Sequence, residues 1–394
     1  MMKRIYFLLF LCLTFCAHAQ KTAPIAKIPF TLEGNHVFIQ LQVNDSETLD
    51  FIFDTGAGST VINSATAEAL GLVGSNTVVT RGASGTVESS VIEKQSIKVG
   101  VLDIPKVKLL SAPLAHFERS IGKDIDGIIG YDFLQGFAVQ VNYTTLELIV
   151  YQPKGFKYQG NGERIKIGLG RVPTAVLPII LKDGGYEKAD FILDNGAGLT
   201  MAFTSPFAKK KQLMNLLENT YPYSSKGFST NVADVNVGRI SKLKIGNKEF
   251  ADIPVRIYDT EVGVFAMESI AGIIGNEILK RYNITFDYKR KRSYWEPNQL
   301  FDNEPFVIAH SGLELVMSED KSAVIIENII PESPAAAAAF KIGDKIVEID
   351  GIKASEASLN ELRVALRQNG KTLTIVYLSD DQRKEVKIAV KPML

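Results

Sequence analysis

The 394-residue chain has only two cysteines, Cys12 and Cys16, and both lie near its start. Once that leader is set aside, no thiol, disulfide or thiolate metal site remains, so the body must be held by packing alone. Histidine is scarce too: beyond the leader there are His36, His116 and His310, scattered and best read as packing or surface residues. The sequence has no His-Glu-x-x-His, no Cys/His cluster and no P-loop of the Gly-x-x-x-x-Gly-Lys-Ser/Thr pattern, so no metal or cofactor is expected. An excess of either charge is also missing. Lys plus Arg and Asp plus Glu both count 44, a net charge of zero, so nothing draws the protein to nucleic acid or anionic lipid. The basic run Lys289–Arg292 lies between two strand-like segments, 283–288 and 293–296, and reads as an exposed hairpin turn.

What is present begins with a leader. Lys3 and Arg4 precede an apolar run from Ile5 to Cys16 and then Ala17-His18-Ala19, the pattern of a cleaved secretory signal over residues 1–19. The run is too short for a membrane span, which needs roughly 20 residues, so no stable span is expected. Phe15 before Cys16 and Leu11 before Cys12 argue against a lipoprotein signal. Export to the periplasm or cell surface is the expectation.

The body repeats itself. Phe51-Ile52-Phe53-Asp54-Thr55-Gly56-Ala57-Gly58 returns as Phe191-Ile192-Leu193-Asp194-Asn195-Gly196-Ala197-Gly198. Ile97–Gly100 returns as Leu243–Gly246, Asp103-Ile104-Pro105 as Asp252-Ile253-Pro254, and Gly127–Gly130 as Gly272–Gly275. Four matches in one order indicate duplication of a whole domain, with a period too long for a solenoid. Each copy reads as mostly strand: Val37, Ile39, Leu41 and Val43 alternate on one face, and Asn44-Asp45-Ser46 makes the turn into Leu49–Phe53. Short helices are predicted over 65–70, closed by Gly71, and over 207–217, with Ser205 as N-cap and Pro206 first.

Asp54 sits where an apolar strand breaks into a tight loop. Gly56 permits the close turn, and the Thr55 hydroxyl can bond inward. The strand Ile128-Ile129-Gly130 could thread beneath the loop, and Tyr131–Leu134 starts a helical turn. Two carboxyl groups a few ångströms apart cannot both ionise easily, so such a pair holds one proton between them. The ionised member can then take a proton from a bound water while the other hydrogen-bonds a substrate carbonyl. Asp54 and Asp194 are the candidate pair.

These motifs resemble those of the aspartic peptidases, the retroviral type in particular, arranged as a pepsin-like tandem within one polypeptide. The resemblance covers about residues 28 to 300. It implies a mainly β fold: two duplicated acid-protease-type β-barrel lobes, residues 20–160 and 161–305, flanking a cleft. It further implies a monomeric endopeptidase with Asp54 and Asp194 as catalytic residues, Thr55, Gly56, Asn195 and Gly196 supporting the loops, and a peptide or protein substrate. In the family the hydroxyl after each aspartate bonds the partner lobe's backbone. Here Asn195 stands in the second loop, and Leu199 replaces the hydroxyl of Ser59. An inert two-lobed peptide-binding scaffold is therefore the alternative, and pairing of lobes between separate molecules a further one. The substrate-covering flap of the family matches Gly82, Ala83, Ser84 and Gly85, with Ser225–Ser229 as a counterpart in the second copy.

From about residue 306 to 394 the texture changes. Ser333-Pro334-Ala335 opens an alanine-rich stretch predicted as helix, then Gly343-Asp344 and the alternating strand Lys345–Ile349 ending in Asp350-Gly351. This resembles a bacterial PDZ domain, a small α+β module, although Ala339 stands where the family has a helix-ending glycine. The resemblance implies capture of a protein C-terminus as an added strand beside the loop Gly312, Leu313, Glu314 and Leu315. The opposite wall is the predicted helix 359–368, with Leu362 and Leu366 as pocket residues.

Overall fold

The structure, a computed structural model, describes residues 22–217, 220–226, 232–303, 306 and 311–393. The leader, His310 and the core of the second candidate flap, Gly227 to Ser229, lie outside the described residues. Strands make up 49% and helices 13% of the described residues, so the fold is mainly β.

Each copy of the duplicated unit curls into a closed six-stranded barrel. In the first, the strands run His36–Val43, Leu49–Phe53, Gly127–Ile129, Thr60–Asn63, Leu102–Ala112 and Thr86–Val99, and the last pairs back onto the first. In the second, Pro173–Ile180, Tyr186–Leu193, Gly272–Ile274, Met201–Phe203, Lys248–Asp259 and Val232–Ile245 close in the same order. Closure removes free edges from both rings. The predicted alternation holds: Val37, Ile39, Leu41 and Val43 are buried inside the first barrel.

The barrels are joined by a sheet that neither copy could build alone. Ala26–Glu33, Glu147–Tyr151 and Ala138–Asn142 come from the first half, and Tyr282–Asp287, Arg292–Pro297 and Glu163–Lys166 from the second. The joint is the antiparallel register Ile284↔Val141 to Asp287↔Ala138. One apolar core runs through both barrels and this seam, with Phe51, Phe133, Phe191, Phe286 and Trp295 among its buried side chains. Lys289–Arg292 forms the tight connection expected, with Lys291 at φ 53°.

Helices are short and differ in detail from the sequence reading. The first spans Ser64–Ala69, capped by Asn63, with Gly71 left-handed just beyond. In the second copy Thr204, not Ser205, is the N-cap, and the helix covers only Ser205–Lys210. Gln212 at φ 52° breaks it before a separate turn at Leu213–Leu216.

The C-terminal module is a separate sheet in the order Leu313–Met317, Val324–Ile329, Lys345–Ile349, Thr372–Ser379, Gln382–Ala389, with its own core. The helix Leu359–Ala365 packs on it, held by a capping box of Ser358 and Glu361. It stops short of the predicted 368. The alanine-rich stretch is not a helix but a run of turns. Ser311 O takes the Ala335 N–H (2.9 Å), which ties the start of the stretch to the module's first loop. Ala339 is not among the residues with positive φ, so the missing glycine costs nothing there.

Trp295 is 1% exposed in the seam sheet, with its Nε1 donating to Ser293 Oγ (2.8 Å). Trp295→Ala should lower stability by about 3–5 kcal/mol. Denaturant unfolding followed by circular dichroism checks this. A loss under about 1 kcal/mol would mean the seam is not part of the cooperative core.

Candidate active site

The strands Leu49–Phe53 and Tyr186–Leu193 each deliver an aspartate to the same end of their barrel. Asp54 N bonds Ile129 O (2.9 Å) and Asp194 N bonds Ile274 O (3.0 Å), so each loop leans on the short parallel strand behind it. Gly130 is required there, because a Cβ would lie 2.1 Å from Asp54 O. Tyr131 N and Asn276 N then bond Ala57 O (2.9 Å) and Ala197 O (2.7 Å), closing the two loops alike.

The loops are clasped to each other across the seam. Thr55 Oγ1 donates to Leu193 O (2.7 Å) and accepts from Asn195 N (3.0 Å). Asn195 Oδ1 accepts from Thr55 N (2.7 Å). The amide thus does for the first loop what the hydroxyl does for the second, as an acceptor. Its Nδ2 lies against the Tyr143 hydroxyl without a well-aligned acceptor, while that hydroxyl donates to Asn276 Oδ1 (2.6 Å). Asn276 Nδ2 in turn reaches Asn35 O (2.7 Å), tying the second copy to the first again. Thr55 and Asn195 are both buried.

This clasp brings the carboxyl groups of Asp54 and Asp194 within hydrogen-bonding distance of each other. Each loop glycine lies against the opposite carboxyl: a Cβ on Gly56 would sit 2.4 Å from Asp194 Cγ, and one on Gly196 2.2 Å from Asp54 Cγ. Burial, repulsion from Asp54 and their shared hydrogen bond hold Asp194 well above the usual carboxylate range. Burial raises Asp54 too, but the Asp194 hydrogen bond and backbone N–H groups of Gly56, Ala57 and Gly196 oppose the rise. Both carboxyls are thus pushed up, the condition under which a coupled pair retains one proton between its members. Both residues keep some accessible surface at the cleft floor, so water can reach them.

Residues 39–133 match the family model described as aspartyl protease. Residues 311–390 match that of the PDZ domain. Among solved structures the protein is loosely similar to the aspartic proteinase from Irpex lacteus, at 17% identity and a TM-score of 0.45. That alignment covers 71% of this chain and 98% of the other. A search of curated proteins finds no match.

The aspartyl-protease segment also contains the candidate flap. Gly82 to Ser84 and Gly85 turn between strands Asn76–Arg81 and Thr86–Val99, and the tip reaches the second barrel: Val264 N bonds Gly82 O (3.0 Å) and Phe265 N bonds Ala83 O (3.1 Å). Gly263, at φ 82°, admits this contact, since a Cβ would lie 2.5 Å from Ala83 O. A cavity of about 510 Å³ lies outside the flap, lined by Arg81, Thr86, Glu261, Gly263 and Met267 and not over the carboxyls. Among the described residues no cluster of His, Cys, Asp and Glu could hold a metal ion.

Several site residues were not singled out from sequence. His36 is half-buried against the Gly196 carbonyl, and desolvation lowers it to about 4, so it stays neutral. Arg171 donates to Ser59 Oγ (2.7 Å) and Gly58 O (3.0 Å), bracing the first loop from the second half. Tyr143 and Asn276 support Asn195. The mismatch of Tyr131 with Asn276 within the repeat was the available signal for the latter.

In the PDZ segment, Gly312 takes φ 85° beside Ser333, as a tight loop requires. Leu313 and Leu315 are core residues, and Leu362 and Leu366, expected in the pocket, lie in that core as well. Glu314 points elsewhere: burial pushes it up to about 7, although the Arg256 guanidinium pulls it down.

Because Asp194 titrates above its unfolded value, it favours folding at acid pH, and that contribution is lost as pH rises through the higher folded value. Asp194→Asn removes the effect. The variant should gain at least about 1 kcal/mol on the wild type between acid and neutral pH. Parallel stability curves in thermal unfolding would show that Asp194 is an ordinary carboxylate.

Proposed function

We propose that the protein is an aspartic endopeptidase in which a water held between Asp54 and Asp194 attacks a peptide carbonyl. The observation that carries this reading is the pair of hydrogen-bonded carboxyls, clasped across the seam by Thr55 and Asn195 and fed by loop N–H groups.

Ionised Asp54 takes a proton from the water as its oxygen bonds the carbonyl carbon. Asp194 supplies its proton to the carbonyl oxygen, giving a neutral tetrahedral diol. The proton on Asp54 then passes to the amide nitrogen, the C–N bond breaks, and one diol hydroxyl returns its proton to Asp194. No covalent intermediate forms, and the pair ends as it began. Ser84 and Gly85, beside the second barrel's 263–265 segment, belong to the flap that shields the reacting groups from bulk water. The aspartyl-protease match supports this reading, and Asn195 keeping the cross-barrel bonds favours it over an inert scaffold. Both halves of the site belong to one polypeptide, which supports a working monomer. Export after removal of residues 1–19, and a PDZ module that engages the C-terminal ends of substrates or partners, complete the proposal.

Asp54→Asn and Asp194→Asn should each lower cleavage of a labelled protein substrate at least about 10³-fold with the fold intact. Cleavage that survives Asp194→Asn would leave the second barrel structural and end the two-carboxylate account.

A further inference from the structure

The C-terminal module is pressed onto both barrels at once. On the first, the helix Ala115–Ile121 lies against the module's strand Leu313–Met317. Lys321 bridges Glu118 (2.7 Å) and Asp124 (2.5 Å). Gly122 allows the approach, because a Cβ there would lie 2.7 Å from Leu359 Cβ at the start of the module's helix. On the second, Ile330 is 1% exposed and completes an apolar cluster with Ile192, Tyr221, Tyr258, Phe265 and Ile273, and Met393 packs on it. That cluster also takes in Ala83 of the flap, and Ala197 and Leu199 of the Asp194 loop. A module side chain is thus packed into the same apolar cluster that reaches the flap and the Asp194 loop.

The module's own peptide edge is occupied, in part by the same docking. Leu313–Met317 is the outer strand of its sheet, the place where an incoming peptide terminus would pair. Two carbonyls on that edge, two residues apart, are already taken. Leu315 O accepts from Arg363 Nη2 (2.6 Å), reaching across from the helix Leu359–Ala365. Met317 O accepts from Arg119 Nε (2.9 Å) of the first barrel. A strand added to this edge would displace Arg119.

We propose that the docked PDZ module is an intramolecular plug: it bridges the two barrels, packs Ile330 into the apolar cluster that reaches the flap and the Asp194 loop, and must leave before a protein substrate enters. This rests on the peptidase reading above. The Lys321 ion pairs that help to hold it are partly exposed and contribute little each, and a ligand that binds only the released form would shift the balance towards release.

The test is the full-length protein bearing Arg119→Ala and Lys321→Glu, neither of which touches the carboxyls. Docking is read by hydrogen exchange in residues 115–121 and 324–330, and function by cleavage of fluorescently labelled casein. Release should raise exchange in both segments and raise kcat/KM about tenfold, within the usual range for coupled sites. Adding Asp124→Lys to Lys321→Glu alone restores an ion pair and should return both readings towards wild type. Raised exchange with wild-type cleavage would overturn the plug while leaving the peptidase intact. Raised cleavage without raised exchange would overturn it as well. Raised exchange with no cleavage by either form, from acid to neutral pH, would remove the peptidase reading and the plug with it.

Discussion

Everything in the site depends on the hydrogen bonds between Thr55 and the Leu193–Asn195 backbone, answered by Asn195 Oδ1 on the Thr55 N–H. Two carboxylates brought this close repel by roughly 4 kcal/mol at an effective dielectric of 20. Left to themselves the loops would separate or the acids would turn away. The clasp forbids both, and the six-stranded seam beneath it fixes the barrels that carry the loops. The remaining way to relieve the repulsion is to share a proton. On the proposed reading that shared proton leaves one acid and one base side by side, as water activation requires.

The two barrels share one strand order, and they differ at particular positions. Asn195 in place of threonine keeps the acceptor but turns its Nδ2 towards Tyr143, recruiting Asn276 and Asn35 into the seam. Leu110 pairs with Val61 in the first barrel, whereas Arg256 pairs with Ala202 in the second. Leu110 completes an apolar cluster, while Arg256 stacks on Tyr223 (4.6 Å) and faces Glu314 of the C-terminal module. The first barrel contributes the flap Gly82 to Gly85, and the second receives it at Val264 and Phe265. Duplication supplied the symmetric floor of the cleft, and divergence above it supplied direction.

The sequence made legible what depends on local pattern. The duplicated Asp-Thr/Asn-Gly-Ala-Gly loops, the apolar strands leading into them and the short strand behind each one follow from spacing and period, and all are where the pattern puts them. What escaped depends on distant partners. The alanine-rich stretch has helical propensity, yet it folds as turns tied at Ala335 to Ser311. The helix after Thr204 ends at Lys210 because Gln212 turns left-handed, which no residue type there announces. Leu362 and Leu366 have helical spacing suited to a groove, but the same spacing serves the core they fill. Asn195 looked like a loss because its hydroxyl was missing, and only the geometry across the seam shows the amide standing in as acceptor.

The sharing of one proton between Asp54 and Asp194 is the central claim, and carbon-13 NMR of protein labelled at aspartate carboxyls reads it directly, with Asp54→Asn and Asp194→Asn spectra assigning the two signals. The account predicts one carboxyl still protonated well above the usual carboxylate range while its neighbour is ionised, the pair titrating as a unit. Two independent titrations near the ordinary aspartate value of about 3.9 would contradict it.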